Sequence, residues 1–278
     1  MKKGTGGTVP TVFLLLGALY CLLPVGWVLI AATKSRAELF TSAAFAPGSG
    51  LLGNLCDLSA YRDGIFWRWM INTALYAGFG AALSTAVSVV AGYALAKFAF
   101  RGRGLMFNIL IGGILVPSVV LAIPQYLLLS KVGLANTYWA VLLPSILNPY
   151  SIYLARIYAA AAIPDALLEA GRIDGAGEPR LLRVVALPLM GPGMVTIFLF
   201  QFVAIWNNFL LPFIMLADDG KFPLTVGLYT LLVTGANQPA LYNLVITGAL
   251  LSIIPLIALF LTMQRYWRTD LGDGSVKS

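Results

Sequence analysis

Six apolar runs dominate the chain, at 12–32, 70–96, 105–129, 138–160, 189–216 and 242–263, and none contains an acidic residue. A helix needs about 20 apolar residues to cross the hydrocarbon core, and every run reaches that length. The pattern predicts an all-α membrane protein with six transmembrane helices. Lys97 closes the second run, where its stem can reach the interface. The run at 12–32 follows Met1-Lys2-Lys3. It is longer than the roughly 7–15 apolar residues of a signal peptide, so a retained span is expected. Between the runs, the connections at 33–69 and 217–241 are long and that near 131–137 is short. No internal repeat or soluble domain stands out, so one transmembrane domain is expected over 1–278.

Composition agrees with lipid as the solvent. Hydrophobic residues make up 59% of the 278 and charged residues only 10%, against roughly 25% charged in a soluble domain. There is no histidine, and the only cysteines are Cys21 and Cys56. The commonest general base and the usual zinc ligands are therefore missing, and neither a metal site nor a catalytic residue is expected. The net charge of +7 is a topology signal rather than a nucleic-acid patch. With the N-terminus inside, twelve basic residues fall on the cytoplasmic side: Lys2, Lys3, Lys97, Arg101, Arg103, Arg156, Arg172, Arg180, Arg183, Arg265, Arg268 and Lys277. Six (Lys34, Arg36, Arg62, Arg68, Lys131 and Lys221) fall outside. The positive-inside rule then puts both termini in the cytoplasm.

The cytoplasmic connection at 161–188 carries the most information. Pro164 suits a first helical position and Asp165 the positive end of a helix. Asp174-Gly175-Ala176-Gly177 supplies turn chemistry, and Glu178-Pro179 opens a second helix with an apolar stripe of Leu181, Leu182 and Val185. Two short helices at the membrane surface fit a docking site for another protein, and equally an interfacial helix lying on headgroups.

A resemblance separates the two. Glu169-Ala170-Gly171, three residues, Gly175, nine residues and then Val185-Ala186-Leu187-Pro188 resembles the EAA motif of ABC importer permeases. Gly171 and Val185 depart from its usual Ala and Ile. Further matches point to the carbohydrate branch, and to a maltose-permease-like second subunit. They are Asn72-Thr73, Ala91-Gly92-Tyr93-Ala94-Leu95-Ala96-Lys97-Phe98, Gly133-Leu134-Ala135-Asn136-Thr137 and Trp206-Asn207-Asn208-Phe209. The resemblance implies a type I ABC importer permease fold. It implies that Glu169, Ala170, Gly171, Asp174, Gly175 and Ala176 dock an ATPase subunit present in two copies. Gly175 would let the turn pack closely, and Gly274, Val276 and Lys277 would touch the ATPase pair. The other implied partners are a second homologous permease chain, an extracytoplasmic solute-binding protein that meets the connection at 217–241, and membrane lipid. The implied setting is the inner membrane of a bacterium or archaeon, crossed several times.

Polar residues within the runs are candidates for a translocation path: Asn108, Gln125, Asn148, Gln201, Asn207, Asn208 and Asn243. Trp206, Asn207, Asn208 and Phe209 set amides beside aromatic surface, a combination suited to sugar hydroxyls and C–H faces. Glue between helices and an interfacial aromatic belt are the competing readings. An ion-coupled secondary transporter usually places carboxylates at mid-membrane, and none falls in the runs. A structural scaffold leaves the spacing at 161–188 unexplained. No G-x-x-x-x-G-K-[ST] phosphate loop is present, so ATP and magnesium are expected to be used by the partner ATPase, with no cofactor bound by this chain.

Overall fold

Long apolar segments fold as helices because a helix satisfies every backbone N–H and C=O within the segment. The structure is a computed structural model and describes residues 8–235, 238 and 240–273. The expected tail contacts Gly274, Val276 and Lys277 lie outside the described residues. In chain order the helices are α1 (Thr8–Ala32), α2 (Arg36–Thr41), α3 (Leu51–Ala60), α4 (Ile65–Lys97), α5 (Arg103–Leu115), α6 (Ser118–Lys131), α7 (Tyr138–Ile146) and α8 (Pro149–Ala162). There follow α9 (Asp165–Ile173), α10 (Glu178–Leu181), α11 (Leu187–Leu189), α12 (Gly191–Trp206), α13 (Leu210–Met215), α14 (Leu224–Gly235) and α15 (Ala240–Asp273). No strand occurs among the described residues.

Three stretches, Pro10–Ala32, Leu51–Lys97 and Leu241–Gln264, are long and apolar enough to cross a membrane, or up to six when each bent helix pair counts as one span. Proline explains the breaks that periodicity conceals. The run at 105–129 is two helices, α5 and α6, bent by 103°. Val116 stands before Pro117 and is extended, at ψ 119°, because a following proline disfavours the helical region. Asn148 stands before Pro149 and is extended too, at ψ 113°, which divides the run at 138–160 into α7 and α8. The run at 189–216 stops at Trp206 and resumes at Leu210. The long connections are not irregular either, since α2, α3 and the start of α4 lie in the first and α14 in the second.

The chain divides into two compact units, Met1–Trp67 with Gly227–Pro255, and Arg68–Val226 with Leu256–Ser278. In the first, residues 12–23 of α1 are all exposed. Lys34 beyond its end is buried and donates from Nζ to the carbonyls of Ala43 (2.7 Å) and Ala44 (3.2 Å). The Lys34 carbonyl accepts from Asn54 Nδ2 at 2.8 Å and Asn243 Nδ2 at 2.9 Å. Asn243 thus ties α15 to α3 and to the segment after α1. Ser35 and Glu38 cap α2 reciprocally.

The second unit holds two apolar cores. One gathers Tyr76, Ala77, Ala81, Val141, Trp206 and Met215. The other joins Val89, Tyr93, Ala155, Ala159 and Ile197 to Leu168 and Leu181 from the 161–188 connection. Close approach of α4 to α8 depends on Gly92, where a Cβ atom would stand 2.5 Å from Ala155 Cβ and 2.6 Å from Arg156 N. Backbone cannot yield as a flexible side chain can. Gly92→Val should therefore destabilise the assembled protein by about 1–3 kcal/mol. Gly78→Ala on the same helix, where nothing lies within 4 Å, should stay within about 0.5 kcal/mol. Thermal unfolding of both variants in detergent checks the contrast.

Candidate functional site

The 161–188 connection folds as two short helices around a tight turn. Pro164 sits at the cap of α9, one place before the expected first helical position, and Asp165 is the first helical residue. The Asp165 carboxylate accepts from Lys97 Nζ at 2.7 Å, pinning α9 to the end of α4. Leu168 and Leu181 are buried, and Leu182 and Val185 pack beside them. The apolar stripe therefore faces the protein's own core, whereas the interfacial-helix reading requires it to face lipid. What remains outward is Glu169, Ala170, Asp174 and an Ile173 that is 86% exposed. Gly171 is half-buried, and a Cβ there would stand 2.5 Å from Leu181 Cδ2, so the glycine makes room for that leucine. Ala176 lies against the same core.

Gly175 supplies the turn geometry that the sequence led us to expect. It sits at φ +79° with nothing within 4 Å of a would-be Cβ. Within this chain the glycine answers to backbone conformation and not to close packing. Across the turn Arg172 Nε donates to Glu178 Oε1 at 2.8 Å. That hydrogen bond is the main reason the guanidinium holds its proton above its ordinary value. Next comes a π turn, Leu182–Ala186, closed by the Leu187 N–H reaching back to the Leu182 carbonyl. Pro188, placed four residues after Val184, cannot make the ordinary helical bond to that residue's carbonyl, and a π turn accommodates the loss. Periodicity gave no sign of it; the spacing of Pro188 was the available signal.

Further along, three helix breaks open onto one cavity of about 420 Å³. Ser118 comes from the start of α6, Ser145 and Asn148 from the α7–α8 break, and Asn207, Asn208 and Phe209 from the α12–α13 break. Gln125 and Gln201 complete the polar lining, and no charged side chain lines it. Non-helical backbone at membrane depth is tolerated where it lines a cavity, and discontinuous helices build many transporter sites in this way. Some amides are already engaged. Gln201 Nε2 donates to Ser84 Oγ at 2.9 Å, Asn207 Nδ2 to the Val203 carbonyl at 2.8 Å, and Asn148 Oδ1 caps α8 through Ser151 N at 3.0 Å. The Asn148 NH2 has no partner among the described residues.

Of the expected path residues, Asn207, Asn208 and Phe209 reach the cavity. Trp206 does not, being 4% exposed, stacked on Phe202 at 5.4 Å and part of the Tyr76 core. One residue's rotation at the end of α12 separates it from Asn207. Asn108 is exposed and takes no part. Ser118 and Ser145 escaped the sequence reading because isolated serines in apolar runs carry no pattern.

At the opposite end of α4, a stripe of side chains clamps the 219–224 segment. Trp69 Nε1 donates to Asp219 O at 2.9 Å, Asn72 Nδ2 to Gly220 O (2.9 Å) and Phe222 O (3.0 Å), and Tyr76 Oη to Lys221 O at 3.0 Å. Thr73 Oγ1 accepts from Leu224 N. The Asp218 carboxyl is held below its ordinary value, first by Lys221 and then by the Gly220 N–H. Asn136, itself at φ +57°, accepts from the Ala217 and Asp218 N–H groups through Oδ1, at 3.0 Å each.

Comparison with known proteins places these features. The family model described as "Binding-protein-dependent transport system inner membrane component" matches residues 84–271. The chain is 33% identical to the arabinooligosaccharides transport system permease protein AraQ of Halalkalibacterium halodurans, over 94% of this chain and 92% of that protein. It is 30% identical to the lactose transport system permease protein LacG of Rhizobium radiobacter, over 94% and 93%. Among solved structures, a bacterial ABC transporter involved in import of the acidic polysaccharide alginate superposes with a TM-score of 0.80 at 26% identity, covering 93% of this chain and 95% of that one.

Replacing Gly175 by alanine forces a left-handed conformation on a residue with Cβ, at a cost of about 1–2 kcal/mol, and asparagine should cost less. Amide exchange at 173–177 should accelerate in the order Gly, Asn, Ala.

Proposed function

The chain belongs to the family of inner membrane components of binding-protein-dependent transport systems, and from that membership we propose that it carries a neutral, hydroxyl-rich solute of the sugar class. It is the permease component of an importer and not an enzyme. The observation that carries the substrate class is the cavity at the three helix breaks. Side-chain amides and hydroxyls line it beside Phe209, and no charge is present. Such groups donate and accept in pairs, as sugar hydroxyls do. Relatives named for arabinooligosaccharide and lactose transport support the class without selecting a member.

In this reading the six runs are six spans, with both termini cytoplasmic in a multi-pass inner-membrane protein. The outward face of α9 with Glu169, Ile173 and Asp174 seats an ATP-binding subunit, which supplies ATP and magnesium chemistry. A second homologous permease completes the pathway, and the clamped 217–222 segment receives the solute-binding protein. ATP-driven closure favours one facing of the pathway over the other. The loop shares a core with α4, α8 and α12, so its movement is passed to the spans as a rigid body.

Two measurements test this. Co-purification from native membranes should bring down an ATPase and a second permease with the wild type. Glu169→Lys should lose the ATPase while keeping the permease pair; recovery of no ATPase with stable wild-type protein overturns the docking assignment. Separately, in the reconstituted transporter Asn148→Ala should slow solute uptake about tenfold, the loss of one substrate hydrogen bond, with assembly unchanged. Unchanged uptake in both Asn148→Ala and Asn207→Ala would remove the cavity from the path.

A further inference from the structure

The cations at one corner of the second unit are incompletely neutralised. At the end of α4, Lys97 pairs with Asp165. Arg103 opens α5 and donates from Nη2 to the Ala96 carbonyl at 3.2 Å, the residue beside Lys97. Arg156 of α8 stands with its guanidinium 4.0 Å above the ring of Phe107, one turn along α5 from Arg103. Its backbone also meets α4 at Gly92, one turn before Ala96. Two independent constraints, through Phe107 and through α4, therefore bring Arg103 and Arg156 to one place. Both are half-buried, and no carboxylate pairs with either among the described residues.

Half-burying two guanidinium groups at one corner is unfavourable without a counter-ion. Phe107 supplies a π face to Arg156 and the end of α4 supplies carbonyl dipole to Arg103, but neither carries a formal negative charge. The face beside them identifies the missing partner. Leu105, Met106 and Ile109 of α5 are 67%, 66% and 55% exposed in the order Leu105, Ile109, Met106. An anion that meets both features combines acyl chains with a phosphate. Planar guanidinium forks bind phosphate oxygens in pairs, which favours arginine over lysine at such a place.

We propose that Arg103 and Arg156, at the corner of α4, α5 and α8, bind the phosphate headgroup of an anionic phospholipid whose chains lie along the exposed face of α5. The site rests on the chain's place in the inner membrane and is independent of which solute is carried. It holds the corner where α8 runs on to the 161–188 connection and α4 reaches it through the Lys97–Asp165 pair, so its occupancy stabilises that junction.

Native mass spectrometry of the complete transporter, titrated with phosphatidylglycerol or phosphatidylcholine, tests the proposal. Wild type should retain phosphatidylglycerol in preference to phosphatidylcholine. Each arginine neutralised in Arg103→Gln and Arg156→Gln should weaken retention about fivefold. Arg180→Gln with Arg183→Gln, exposed cations elsewhere on the same side, should change it little. The same spectra report assembly. Should the double glutamine variant fail to assemble, the single variants and the charge-keeping Arg103→Lys decide the matter, with Arg103→Lys retaining more lipid than Arg103→Gln. Equal retention of the two lipids by wild type overturns the proposal, as does unchanged retention in both single glutamine variants.

Discussion

Inside hydrocarbon a backbone amide has no water to turn to, and the rest of this structure follows from that limit. Uninterrupted helices without an internal proline meet it without help, as α4 does over Ile65–Lys97. Where the chain breaks, at Val116-Pro117, at Leu147-Asn148 and at Asn207-Asn208, the freed groups need other partners. The breaks converge on one polar cavity instead of scattering over the surface. Proline forces two of them, and the side chains of Asn148 and Asn208 accept from backbone N–H groups three residues on. The same residues that repair the backbone thereby become the lining.

Helix α4 organises the second unit because both of its ends are committed. Near one end, Trp69, Asn72, Thr73 and Tyr76 recur at helical spacing and bond the backbone of 219–224. Towards the other, Gly92 admits α8, Tyr93 packs with Leu168 and Leu181, and Lys97 holds Asp165. Asn72-Thr73 and the stretch 91–98 looked like separate family signatures in the sequence. The structure shows them as two ends of one element. Buried hydrogen bonds at one end and apolar packing at the other are both costly to break.

Much of this was legible from the residues. Six apolar runs gave the helical class, and the spacing from Glu169 to Pro188 located two short helices and the turn between them. What periodicity could not show were departures within a run, since a bent pair and a straight helix share the same hydropathy. Prolines 117, 149 and 188 mark two breaks and the π turn, but Pro124 and Pro144 sit inside helices without ending them. Proline alone is therefore an ambiguous signal. Direction at a helix end was also hidden: Trp206 and Asn207 are neighbours in sequence, yet one enters the core and the other the cavity. At Gly175 the expected turn chemistry takes the form of a positive φ, whose sign the sequence does not report.

The crossing at Gly92 makes α4 a lever of unequal arms. Trp69 lies about 35 Å from Gly92 along the axis, and Lys97 only about 8 Å on the other side. A tilt of about 5° around that crossing would carry the Trp69 end through about 3 Å while the Lys97 end moved less than about 1 Å. If α4 and the elements packed on it turned together about that crossing, the 219–224 end would travel several times further than the end that Lys97 ties to the 161–188 connection.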